Sequence, residues 1–118
     1  MRHQNHKYTL GVDRPHRKSM MRNLASDLIT HGKIKTTHTR CKALRIFVEK
    51  LVTIAKEDSV QKRRLVFAKI NNSGAVKKLF DEVAPRHKAR PGGYTRIIKI
   101  ADTRVGDNAK MAQISFVD

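Results

Sequence analysis

The chain has 118 residues, 39% of them hydrophobic, and sets 26 Lys and Arg against 10 Asp and Glu, a formal net charge of +16. That length suits one domain around one core, and the single cysteine, Cys41, excludes a disulfide within the chain and fits a reducing cytoplasm. No apolar run reaches the length of a membrane span, and no hydrophobic signal core follows Met1-Arg2-His3-Gln4-Asn5-His6.

So large a cationic surplus repels itself in a compact fold and is relieved by a dense polyanion. Nucleic acid is the commonest such partner and an anionic membrane the second choice. The charge is uneven: residues 1–48 hold eleven Lys and Arg, opposed only by Asp13 and Asp27, and five of the six histidines. Residues 83–101 hold Arg86, Lys88, Arg90, Arg96 and Lys99 with no acid. These two basic segments point to two places where phosphate comes close.

In chain order, residues 1–13 are polar and basic, and their scattered Tyr8, Leu10 and Val12 make no core alone, so they read as a flexible basic arm that orders on its partner. Asp13-Arg14-Pro15 opens a helix, with a capping carboxylate and a proline in the first turn. Met20, Met21, Leu24, Leu28 and Ile29 form its apolar stripe, and His31-Gly32 closes it. Lys33–Thr37 is short, alternating and β-branched, hence a strand. Thr37 or Thr39 caps the next helix, in which Cys41, Leu44, Val48, Leu51 and Ala55 repeat at three- and four-residue steps, flanked by Phe47 and Ile54. Asp58-Ser59 opens a third helix reaching roughly Asn71. Ser73 caps a fourth, short helix with Val76, Leu79, Phe80 and Val83 on one face, ended by Pro85. Arg90-Pro91-Gly92-Gly93 reads as a turn in which proline presets the first corner and glycine takes the positive φ of the second. Strands over residues 94–101 and 110–117 follow, joined around Val105–Asn108. In the last strand Ala112, Ile114 and Phe116 alternate with Gln113, Ser115 and Val117, so the pair is an antiparallel hairpin. A two-stranded hairpin is marginal alone, and the strand near residue 35 completes it. The expected fold is α+β: an arm over 1–13, then one domain over 14–118 of about four helices on a small three-stranded mixed sheet.

Residues fit for bond chemistry are scarce. Cys41 lies on an apolar stripe and reads as a buried structural thiol; His38 is three residues away, but no glycine-rich oxyanion loop or third orienting group accompanies the pair. His3-x-x-His6 has ligand spacing, yet no thiolates or carboxylates lie near to complete a structural zinc set, so phosphate or base contact is the better use of these histidines. The glycine-rich fingerprints of nucleotide binding are absent, and the paired acids Glu57-Asp58 and Asp81-Glu82 lie near helix ends, where solvation and dipole effects account for them. A membrane-surface helix would set bulky Trp, Phe or Leu opposite a basic face; Trp is absent, and the apolar faces of the helices are claimed by the core. The expectation is no enzyme, no metal, no cofactor and no small-molecule substrate.

The cations gather instead in the arm, where helices begin and where strands meet loops. Candidate nucleic-acid contacts are Arg2, His3 and Lys7 in the arm; Arg14, His16, Arg17, Lys18 and Arg22 on the first helix; Lys33, Lys35, His38 and Arg40 around the first strand; and Arg86, Lys88, Arg90 and Arg96 further on. Aromatic residues make up only 5%, which disfavours base-stacking platforms and favours phosphate and shape recognition of folded RNA. A sequence-specific DNA reader would concentrate its side chains on one recognition helix; a DNA-binding architectural protein is the alternative.

Several pieces together resemble the bacterial large-subunit ribosomal protein seventeen family along essentially the whole length. They are Met1-Arg2-His3, His16-Arg17-Lys18, Arg22-Asn23-Leu24, Leu28 to Thr37, Glu49-Lys50-Leu51, Ala75 to Phe80 and Arg90 to Ile97, in that order and spacing. The resemblance implies a cytoplasmic, ribosome-bound structural protein of the 50S subunit that contacts 23S-type ribosomal RNA. It also implies neighbours among other large-subunit proteins on the exit-tunnel side, and a mixed α/β domain with a basic arm. Members usually carry more Arg and Lys after Met-Arg-His; here Gln4, Asn5 and His6 stand in that place.

Overall fold

A computed structural model describes residues 14–117. The expected arm, with Arg2, His3, Lys7 and the capping Asp13, lies outside the described residues.

Helix α1 spans Arg14–His31 and buries Met21, Leu28 and Ile29, with Met20 and Leu24 packed against the same core. Gly32 ends it with φ at 81°, its N–H donating to the Leu28 carbonyl at 2.7 Å. Strand β1, Lys33–Thr37, follows at once, and the Thr37 side chain accepts from the Arg40 N–H to cap α2, His38–Ala55. Helix α2 is the spine expected from its spacing: Cys41, Leu44, Val48, Leu51 and Ala55 are all buried. Ser59 caps α3, Val60–Ile70, which stops where Asn71 takes a left-handed φ of 51°.

The next cap is Asn72, whose side chain accepts from the Ala75 N–H at 3.1 Å; Ser73 is already the first residue of α4, Ser73–Lys78. Asn71 reverses the chain so tightly that the following residue is the one left extended and able to cap. Nor does Pro85 end this segment. A π-helical turn, Leu79–Val83, continues α4, with the Ala84 N–H bonded to the Leu79 carbonyl five residues back, and a three-residue α5, Ala84–Arg86, follows. The widened turn shifts the hydrogen-bond register, so a proline without an N–H fits inside the last turn.

The sheet, ordered β1-β3-β2, adds β2 Thr95–Thr103 and β3 Lys110–Phe116. A mixed three-stranded sheet was expected, but every pairing is antiparallel. The two strands of a hairpin run in opposite directions, so the direction of β1 relative to its neighbour depends on which one it joins, and it joins β3. The turn expected at 90–93 also differs. The hydrogen-bonded reversal lies at 87–90, Arg90 N–H to His87 carbonyl at 3.0 Å, and the positive φ falls on Gly93, at 63°, not Gly92. The left-handed residue just before β2 delivers Tyr94 into the core, where it is 1% exposed and its hydroxyl lies 3.2 Å from Thr53 Oγ1.

Helix α2 covers one face of the sheet, against the buried Ala112 and Ile114; α1, α3 and the π-helical turn pack against α2, and α4 packs against α1 and α3. Glu49 on α2 ties down the start of β2 by accepting from the Thr95 N–H and hydroxyl, at 3.3 and 2.9 Å. His87 is buried against Tyr94 and Phe116, with ring centroids 5.7 and 6.0 Å away. Among the described residues no helix is long and apolar enough to cross a membrane.

Candidate nucleic-acid interface

Because side chains alternate along a strand, the register sorts the sheet into two faces. Ile34, Ile114 and Ile97 form one row toward α2. The next row over puts Lys33, Ser115 and Arg96 side by side on the opposite face, and beyond it lie Lys35, Gln113 and Ile98. Lys33, Lys35 and Arg96 are exposed, and none of them meets a carboxylate among the described residues. Strands stand about 4.8 Å apart, so Lys33 and Arg96 sit about 10 Å from each other across Ser115. One residue in each strand is enough to bring together cations that are 63 positions apart in the chain.

A second group gathers at the edge of the sheet where α2 begins. His38 is its first residue and Lys42 stands one turn on, on the same side of the helix. Lys99 lies in the row of Thr36 and Ala112, and Lys110 begins β3, next to the Met111 that faces Thr37. Burial first, then the positive fields of Lys42, Lys99 and Lys110, hold the His38 imidazole below its usual range, so it resists a charge of its own. Lys42, Lys99 and Lys110 are not among the contacts expected from sequence. The helical spacing from His38 could have revealed Lys42; Lys99 and Lys110 require the strand register.

The first helix behaves differently from expectation in one respect. Arg14, Arg17, Lys18 and Arg22 line a cleft of about 450 Å³ together with Phe47 and the last turn of α3. Arg22, however, is committed: its guanidinium donates to the carbonyls of Lys69 and Ala68, at 3.2 and 3.3 Å, satisfying the end of α3. It stands on the polar face as expected, with part of its guanidinium used within the fold. His16 and Lys18 are exposed and Arg17 half-buried; Arg40 is half-buried beside the α2 cap.

The basic segment 83–101 does not make one patch. Arg96 joins the open sheet face and Lys99 the His38 group, while Lys88 borders a cleft of about 680 Å³ that also contains Glu57 and Asp58. Arg86 and Arg90 are exposed near that end, and the Arg90 carbonyl accepts from the Lys56 ammonium, which also lies over the Tyr94 ring.

Among the described residues Cys41 is poorly placed for nucleophilic chemistry. Cys41 is fully buried, its thiol 3.6 Å from the Ala112 carbonyl, and burial pushes its pKa up to about 11. Among the described residues no three His, Cys, Asp or Glu side chains converge as a metal site would require. The fold and surface thus define a small basic α+β domain whose interior is given over to packing and whose distinctive feature is exposed, unneutralised cation. Residues 20–117 match the sequence model of the family described as Ribosomal protein L17. The chain belongs to that family, and it is a structural constituent of the large ribosomal subunit, acting in translation.

Proposed function

We propose that the protein binds folded 23S-type ribosomal RNA in the bacterial 50S subunit, by phosphate and shape recognition, and performs no bond chemistry. In this reading residues 1–13 are a basic arm and 14–118 a single domain, held in the cytoplasm on the ribosome with other large-subunit proteins as neighbours on the exit-tunnel side. Arg2, His3 and Lys7 reach RNA from the arm, and Arg14, His16, Arg17 and Lys18 from the start of α1. Lys33, Lys35, Arg96, His38 and Arg40 do so from the sheet side, joined by Lys42, Lys99 and Lys110; Arg86, Lys88 and Arg90 form a lesser outlying contact.

The observation that carries the reading is the placement of Lys33, Lys35 and Arg96 on a sheet face with no carboxylate partner among the described residues. A fold that merely tolerated its charge would intersperse acids there, as it does at Arg63 and Arg104. Unneutralised cation on a broad, shallow face fits a phosphate backbone and releases its counterions on binding. Gradient sedimentation tests it directly: the tagged protein should travel with 50S particles and remain bound to RNA in their protein-depleted cores. Protein found only at the top of the gradient, or lost from RNA-only cores at moderate salt, overturns the reading.

A further inference from the structure

Carboxylates are not spread evenly over the chain. Residues 57–82 hold Glu57, Asp58, Asp81 and Glu82, four of the ten acids, against six Lys and Arg, whereas residues 1–48 set eleven against two. Within the former segment Arg63 is already neutralised, 2.6 Å from Asp58 and 3.1 Å from Asp81, with its guanidinium over the Phe80 ring at 4.9 Å. The same stretch exposes apolar side chains. Of the five large hydrophobics exposed among the described residues, Val60, Leu65 and Phe67 all lie on α3, Val60 at 65% and Phe67 at 43%.

Positions 60, 64 and 67 share one side of the helix. Between that side and α4 runs an open cleft of about 430 Å³, lined by the apolar Val60, Phe67 and Val76 and by Arg63, Arg64, Ser73 and Lys77. Neither Arg64 nor Lys77 makes an ion pair among the described residues. A phosphate backbone gains nothing from the apolar side chains, and one of the three cations beside them, Arg63, is already neutralised by Asp58 and Asp81, which makes the cleft a poorer lure for polyanion than the open sheet face. A polypeptide with alternating apolar and acidic side chains gains from the apolar lining and the cations alike.

We propose that the α3–α4 cleft is a docking surface for an amphipathic acidic segment of a neighbouring protein in the particle. That segment sets an apolar side chain on Val60 and Phe67 and carboxylates against Arg64 and Lys77. The proposal rests on the reading that the chain sits on ribosomal RNA through other faces, and it gives different partners to different sides of the domain.

The test uses intact large subunits from cells carrying Phe67→p-benzoylphenylalanine or, separately, Arg96→p-benzoylphenylalanine, irradiated and mapped. Position 67 should join a protein, at a peptide with Asp or Glu within about one helical turn of the attachment point; position 96 should join RNA. A crosslink from 67 to RNA, or none, overturns the docking surface whatever position 96 does. Failure of 96 to reach RNA overturns the RNA reading, and the cleft then stands or falls on position 67 alone. A neutral variant adds a second readout. Phe67→Ser should be retained about five-fold less than the native chain after a high-salt wash of particles, while its affinity for the isolated ribosomal RNA transcript stays within about two-fold. Equal retention, or an RNA affinity that falls in step, refutes the proposal.

Discussion

Removing both cations of one sheet row, Lys33→Gln with Arg96→Gln, measures how much of the binding is phosphate contact. Taking the single-strand figure, each phosphate neutralised contributes about −0.7 to the slope of log affinity against log salt. If about eight phosphates are engaged the native slope is about −5.6, and losing two contacts brings it to about −4.2. The same relation gives the loss in affinity: between 1 M and 0.1 M salt each contact is worth a factor of about 5, so the double variant binds about 25-fold more weakly at 0.1 M and almost equally at 1 M. Both residues are exposed and without a carboxylate partner among the described residues, so folding stability should move by no more than about 0.5 kcal/mol. Filter binding to a large-subunit RNA transcript over a salt series reads the slope. Arg104→Gln, which removes a cation already tied to Asp107, is the control and should change affinity by less than about two-fold. A double variant that weakens binding with an unchanged slope, or a control that weakens it equally, shows that the row does not meet phosphate.

Leu51→Ala should cost roughly 2–5 kcal/mol by chemical denaturation, since Leu51 is fully buried on the spine helix; an unchanged midpoint would remove it from the core. Arg22→Ala should lower stability by about 1 kcal/mol through the two freed carbonyls of α3, whereas Lys18→Ala, exposed on the same helix, should leave stability alone and weaken RNA binding. Cys41 should ignore a thiol reagent until the domain unfolds. Its folded pKa of about 11 stands above the ordinary 9.0, so the native state keeps a proton the unfolded chain has lost; stability from this group is full below pH 9 and falls between pH 9 and 11, by about 2–3 kcal/mol. For His38 the folded pKa is depressed, so its contribution to stability is present above pH 6.5 and lost on acidification. A phosphate beside it reverses that field, and RNA affinity should therefore rise from pH 7.5 to 5.5 at fixed ionic strength, less steeply in His38→Asn; identical profiles would exclude the contact.

Periodicity carried most of the fold because burial follows it closely. Every position expected on the α2 stripe is buried, and Ala112 and Ile114 alternate as a one-faced strand must. What periodicity cannot express is where backbone hydrogen bonds are re-registered. The π-helical turn before Pro85 and the left-handed φ at Gly93 leave no mark on the apolar pattern, and each displaced an expected boundary. The site divides in the same way. Lys33 and Lys35 were legible as exposed cations on an alternating strand. That Arg96 lies beside Lys33 depends on β3 running between β1 and β2, which is a tertiary fact. Arg22 shows the converse: its helical side was readable, but its commitment to carbonyls 46 and 47 residues away was not.

The distribution of partners among the cations explains how one small domain tolerates its charge. Several carboxylates are spent locally: Asp58 and Asp81 on Arg63 between α3 and the π-helical turn, Asp107 on Arg104 in the β2–β3 loop, Glu49 on Arg45 and on Thr95 at the start of β2. Each of these holds a corner of the fold. The open sheet face needs no such pins, because its other side is already fixed by Ala112 and Ile114 against α2. Cations there can be left unneutralised without loosening the fold, since the burial that orients them does not involve their charge. A strand face anchored from behind therefore holds Lys33, Lys35 and Arg96 at fixed spacing in advance, so that, in the RNA-binding reading proposed above, less ordering entropy has to be lost on binding than if the same charges stood on a loop.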